Sequence, residues 1–179
     1  MTELDIQENG IDDFGGGWLS CFPETFVSLE VLNFACLNSD VTFDALERLV
    51  DRCKALRVLK VNKNISLEQL QKLLLKAPQL VELGTGSFQQ QLVPRQFAEL
   101  ETIFSRCKNL QTLSGLREVS SVYLPALYLV CVNLRFLNLS CATLQSDELA
   151  ELLSKCSNLR RLWVRNFCST TFHFNKVFL

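Results

Sequence analysis

The sequence holds a single histidine, His173, in 179 residues. Any site that needs two imidazoles is thereby excluded. A Ser–His or Cys–His pair stays formally open. However, His173 lies in a stretch with no helical or strand period to hold a base within hydrogen-bond reach of a nucleophile, and it reads as a surface histidine. An excess of charge is also missing: 18 Lys and Arg stand against 19 Asp and Glu, a net charge of -1. This excludes a general electrostatic footprint for nucleic acid or an acidic membrane. The longest apolar run, Val122 to Val132, falls well short of the about 20 residues a bilayer crossing needs. The opening MTELDIQENG has no basic segment followed by an apolar one, so no signal peptide is expected. Gly15, Gly16 and Gly17 are not followed by Gly-Lys-Ser/Thr, so they are not a phosphate-binding loop. Three successive glycines predict a loop before a short helix.

What is present is an ordinary globular composition, 48% hydrophobic and 21% charged, too apolar for disorder. A pattern Leu-x-x-Leu-x-apolar recurs. It appears as Leu29, Leu32, Phe34; Leu56, Leu59, Val61; Leu134, Leu137, Leu139; and Leu159, Leu162, Val164. Weaker copies are Leu80, Leu83 and Leu110, Leu113, whose third slots are Thr85 and Gly115, so these two strands are expected to end early or bend. A seventh copy is Met1, Leu4, Ile6. First anchors at 1, 29, 56, 80, 110, 134 and 159 lie 28, 27, 24, 30, 24 and 25 residues apart, near the spacing of leucine-rich repeats. Between anchors, Phe43, Leu46, Leu49 and Val50 recur at spacings of three and four, as do Leu67, Leu70, Leu73 and Leu74, and Leu149, Leu152 and Leu153. Such spacing puts an apolar stripe on one helix face. The expected fold is α/β: a leucine-rich-repeat solenoid of about six to seven strand–helix units, with a parallel sheet on the concave face and helices on the convex face.

The eight cysteines fit the same repeat. Cys53, Cys107, Cys131 and Cys156 each precede a first-anchor leucine by three residues, and Ala77 takes that slot before Leu80. A small, soft side chain suits the place where a helix ends and the chain turns into a strand. Cysteines spaced this way line up in a row along a solenoid and do not converge on a metal. Cys36 and Cys141 share a second repeat position, and Cys21 and Cys168 have none. Buried free thiols imply a reducing, intracellular setting.

Alternation along a strand turns the anchors inward and their neighbours outward. The outward set is Val31, Asn33, Val58, Lys60, Asn62, Phe136, Asn138, Arg161, Trp163 and Arg165. Asn33, Lys60, Asn62, Asn138, Arg161, Trp163 and Arg165 are the candidate partner-binding residues, because concave solenoid faces bind proteins and Trp and Arg are favoured interface anchors. No catalytic, cofactor-binding or metal-ligating residue is expected. A polar, Gln-rich stretch, Gly84 to Pro94, is expected to loop out before a helix from Gln96 to Cys107.

Five phrases resemble one plant family: WLSCFPETFVSLEVLNFACL (Trp18 to Leu37), FDALERLVDRC (Phe43 to Cys53), APQLVELGTGSF (Ala77 to Phe88), LPALYLVCVNLRFLNLSCATLQSDEL (Leu124 to Leu149) and CSNLRRLWV (Cys156 to Val164). They are similar to the auxin-receptor F-box proteins, the transport inhibitor response and auxin-signalling F-box family. The resemblance implies a non-catalytic substrate-recognition subunit of an SCF ubiquitin ligase, acting in the nucleus. It implies an F-box that docks a Skp1-like adaptor, and a solenoid that holds inositol hexakisphosphate and, above it, auxin. Auxin there fills a gap beneath the degron of an Aux/IAA repressor.

This sequence departs from that pattern. It shows no F-box, and after Val164 it reads RNFCSTTFHFNKVFL, without a repeat anchor. The expected organisation is a partial solenoid over 1–165, open at both ends, and an irregular tail over 166–179. The family's ligand-contacting residues have no counterparts to carry over, so no cofactor is expected in this chain itself, and neither nucleic acid nor membrane is an expected partner. Two alternatives stay open: a stand-alone leucine-rich-repeat binding module, and a relative of the jasmonate-receptor F-box proteins, which share the architecture. A hydrolase using a cysteine and His173 is a third reading.

Overall fold

The structure, a computed structural model, describes residues 1–6, 17–86, 101–117, 119, 121–140 and 142–164. Arg165, His173, Cys141, Cys168, the first two glycines of the triplet, most of the Gln-rich stretch and the tail 166–179 lie outside the described residues.

Seven three-residue strands form one parallel sheet in chain order: β1 Glu3–Asp5, β2 Val31–Asn33, β3 Val58–Lys60, β4 Glu82–Gly84, β5 Thr112–Ser114, β6 Phe136–Asn138 and β7 Arg161–Trp163. Parallel neighbours need a return crossover, and after β2 helices supply it: Phe43–Arg52, Leu67–Lys76, Leu124–Cys131 and Ser146–Ser154, with residues 101–104 also helical; between β1 and β2 the described residues hold one 3-10 turn, Trp18–Cys21. The sheet does not close. This is the leucine-rich-repeat solenoid that the leucine spacing predicts.

The register shows why the spacing works. Leu4, Leu32, Leu59, Leu83, Leu113, Leu137 and Leu162 pair in sequence across the sheet. The five inner members are at most 1% exposed, whereas Leu162, on the last described strand, is 37% exposed. Each inner leucine is covered by the repeat on either side of it, and Leu4 and Leu162, on the outer strands of the described sheet, have one described neighbour each. The helix stripes Ala45, Leu46, Leu49 and Val50, Leu67, Leu70, Leu73 and Leu74, and Leu149 and Leu152 join the same core. Burying a leucine contributes about 1.5–3 kcal/mol, so no repeat is stable without its neighbours.

Local signals start and stop the helices. Ser66 Oγ accepts from the Gln69 amide at 3.2 Å, and Gln69 Oε1 accepts from the Ser66 amide at 2.9 Å, a reciprocal capping box. Asp44 in the first turn and Arg52 in the last suit the helix dipole of Phe43–Arg52.

The small-residue slot is the pivot of each turn. The amides of Leu56, Leu80, Leu110, Leu134 and Leu159 donate to the carbonyls of Cys53, Ala77, Cys107, Cys131 and Cys156 at 3.0–3.3 Å. All five slot residues are buried. Burial pushes the Cys107 thiol up to about 11. Cys131 and Cys156 stand side by side in the row, and the Cys131 thiol is pushed up first by its hydrogen bond to Cys156 and then by burial.

The two strands whose third anchor fails, β4 and β5, run three residues like the others, so neither ends early. β5 pairs with β6 at only two positions. Gly115 adopts φ 74°, and a Cβ there would lie 2.2 Å from the Thr85 carbonyl oxygen. Only glycine suits both conditions. Thr85 Oγ1 donates to the Ser114 carbonyl at 3.2 Å and ties the two weak repeats together.

Candidate interaction face

Two rows of strand positions flank the leucine column on the outward side of the sheet. One runs Glu3, Val31, Val58, Glu82, Thr112, Phe136 and Arg161; the other runs Asp5, Asn33, Lys60, Gly84, Ser114, Asn138 and Trp163. Strands about 4.8 Å apart set the spacing within each row.

Of the seven candidate residues, five lie in these rows. Lys60 Nζ meets Glu82 Oε1 on the next strand at 2.6 Å. Asn33 is nearly covered, with Nδ2 donating to Asp5 Oδ1 at 2.8 Å and Oδ1 accepting from the Ala35 amide at 3.2 Å. Asn138 Oδ1 accepts from the Ser140 amide at 2.9 Å. The Arg161 guanidinium lies 5.4 Å from the Phe136 ring centroid, a cation–π contact across the β6–β7 pair. Trp163 is 55% exposed. Arg165 falls outside the described residues.

Asn62 requires a correction. It is buried at 1% exposure and does not face outward. Its Nδ2 donates to the carbonyls of Leu37 at 3.1 Å and Ser39 at 2.9 Å, and its Oδ1 accepts from the Asn64 amide at 3.2 Å. Strand alternation stops at Lys60, where β3 ends, and the chain then turns Asn62 inward to satisfy carbonyls of the preceding repeat.

Strand reasoning missed a third row, one residue after the first anchors. There Glu30, Arg57, Val81, Gln111, Arg135 and Arg160 stack on successive repeats. Arg57, Arg135 and Arg160 are exposed. Aligning the repeats on their leucines reveals the row; reading strand alternation alone does not, because the row precedes the strands.

Among the described residues, no three His, Cys, Asp or Glu side chains come together as a metal site, and no helix is long and apolar enough to cross a membrane. The described cysteines, Cys21, Cys36, Cys53, Cys107, Cys131 and Cys156, are all free. Cys21 and Cys36 are exposed, and the other four are buried.

No family model matches the chain. Whole relatives do. A transport inhibitor response 1-like protein of Oryza sativa subsp. japonica is 52% identical over 164 residues, 92% of this chain and 28% of its own length. GRR1-like protein 1 of Arabidopsis thaliana is 53% identical over 92% of this chain and 28% of its own length. The chain is a homologue of these F-box proteins. It spans little more than a quarter of the F-box relatives it matches. Coronatine-insensitive protein 1 of Arabidopsis thaliana is a more distant relative, 26% identical over 93% of the chain.

Proposed function

We propose that this chain is a section of an auxin-receptor-type F-box protein, the substrate-recognition subunit of an SCF ubiquitin ligase in auxin-activated signalling. The observation that carries this reading is identity of 52–53% over 92% of the chain to transport inhibitor response 1-like and GRR1-like relatives, against 26% to coronatine-insensitive protein 1. The gap favours the auxin type over the jasmonate type. In this role the chain itself does no chemistry. It offers an outward face, with Lys60, Asn138, Arg161 and Trp163 accessible to a protein partner, within a nuclear ligase whose other partners are a Skp1-like adaptor and an Aux/IAA repressor.

Inositol hexakisphosphate and auxin belong to the full-length receptors on this reading. The outward row at the C-terminal ends of the strands offers one cation, Lys60, and Glu82 already neutralises it. That row does not fit a ligand of six phosphates, and no step is assigned to one.

A graft tests the reading. The matching segment of a full-length transport inhibitor response 1-like relative is replaced by residues 1–164 of this chain. Auxin-dependent capture of an Aux/IAA degron is then measured by pull-down. Capture within a few-fold of the parent is expected. A hybrid that folds and binds the adaptor yet ignores the degron contradicts the reading. The isolated chain is expected to show no sub-micromolar binding of auxin with degron peptide by calorimetry. Such binding, in the chain alone, would favour an independent receptor module.

A further inference from the structure

The row that precedes the strands has an unbalanced charge. Arg57, Arg135, Arg160 and Arg161 line one groove of about 480 Å³ with Val81 and Phe136 on its wall. None of the four arginines makes an ion pair or a side-chain hydrogen bond among the described residues. The one carboxylate in the groove, Glu82, is held by Lys60. A groove lined by four cations and one neutralised carboxylate has a positive potential that favours an anion.

We propose that this groove docks an extended acidic peptide segment of a protein partner, with acidic side chains at positions i and i+4 and an apolar one at i+2. The spacing argues for it. Arg57 and Arg135 stand three strands apart, about 14 Å at a strand spacing of about 4.8 Å. An extended peptide covers that distance in four residues at about 3.3 Å each, and positions i, i+2 and i+4 share one face. Arg135 and Arg160 are adjacent in the row, joined by the Arg160 amide donating to the Arg135 carbonyl at 2.9 Å. Two neighbouring guanidinium forks suit the bidentate grip of one carboxylate. Val81, on the repeat next to Arg57, and Phe136, beside Arg135, offer the apolar wall for the i+2 side chain. Arg161 is already set against Phe136, so part of its ordering cost is met before binding.

Nucleic acid fits less well. The basic row spans only five repeats, is interrupted by Val81 and Gln111, and borders Glu3 and Glu30, which would repel a phosphate backbone. The inference goes beyond the ligase reading and stands without it, because degron capture by the graft and peptide binding by this groove can fail separately.

The experiment uses the full chain and a fluorescein-labelled peptide of the form Gly-Ser-Asp-Ser-Leu-Ser-Asp-Ser-Gly, followed by anisotropy. Unlabelled Asn-for-Asp peptide, a single-stranded oligonucleotide and inositol hexakisphosphate are the competitors. Micromolar binding that falls at least tenfold in R135A/R160A, and several-fold in R135K/R160K, is expected. It should also weaken as salt rises. The exposed positions should leave the circular dichroism melt unchanged. Equal binding of the Asn peptide, or binding indifferent to both arginine pairs, would overturn the proposal. So would tighter binding of the oligonucleotide or the hexakisphosphate than of the peptide, since phosphate would then be the ligand.

Discussion

Asn62 holds Leu37 across a repeat boundary: its side-chain amide donates to the Leu37 carbonyl at 3.1 Å, with both residues buried. The same nitrogen reaches Ser39. A single amide thus satisfies two carbonyls of the preceding turn, where no strand can reach them. Asn62→Ala leaves those acceptors buried and unpaired. A loss of about 1–3 kcal/mol in urea unfolding is expected. A change below 0.5 kcal/mol would mean that the carbonyls find other donors.

Gly115 should tolerate no side chain. Its φ of 74° and the 2.2 Å approach of the Thr85 oxygen to a built Cβ act together. Gly115→Ala is expected to cost at least about 1–3 kcal/mol, from left-handed strain plus the clash. The equivalent substitution at Gly17, where a Cβ meets nothing within 4 Å, should be close to neutral. Comparing the two melting temperatures checks this.

Position in the stack should set the cost of losing an anchor. Leu113 is 1% exposed and Leu162 is 37% exposed, at the same register position. Leu113→Ala should destabilise by about 2–5 kcal/mol, and Leu162→Ala by clearly less. Equal losses by chemical denaturation would contradict the layered core.

The thiols should divide by pH. Burial raises the folded pKa of the Cys107 thiol to about 11 from its ordinary value of 9.0. The folded chain therefore holds the Cys107 proton more tightly than the unfolded chain. Its contribution is fully present below pH 9 and is lost as the pH rises toward 11. Urea titrations at pH 8, 9.5 and 10.5 should show falling stability, and Cys107→Ala should flatten that slope. With a disulfide reagent at pH 8, Cys21 and Cys36 should react quickly, and the buried Cys53, Cys107, Cys131 and Cys156 only on unfolding.

The sequence made the leucine column legible because burial from both sides demands the same residue at every turn. Leu32, Leu59, Leu83, Leu113 and Leu137 follow directly from that demand. The cysteine slot was legible for the same reason: a repeated turn needs a repeated small residue. Gly115 was visible as a broken third anchor, although the contact with Thr85 that requires it comes only from the stacking. Asn62 was misplaced because alternation was carried past the end of β3. The Lys60–Glu82 pair depends on cross-strand register, and the row of Arg57, Arg135 and Arg160 is masked by a net charge near zero. Such features depend on how repeats stack, which no single repeat records.

One sheet runs through the seven described repeats. One ladder of backbone bonds shows it directly. The amides of Arg57, Val81, Gln111, Arg135 and Arg160 donate in turn to the carbonyls of Glu30, Arg57, Val81, Gln111 and Arg135, at 2.8–2.9 Å. Hydrogen exchange by NMR on the full chain measures each of them. Slow exchange at Arg57, Val81, Gln111 and Arg135, with Arg160, just before the last described strand, somewhat faster, is the predicted result. Rapid exchange at these amides beside protected helices would contradict the stacked sheet.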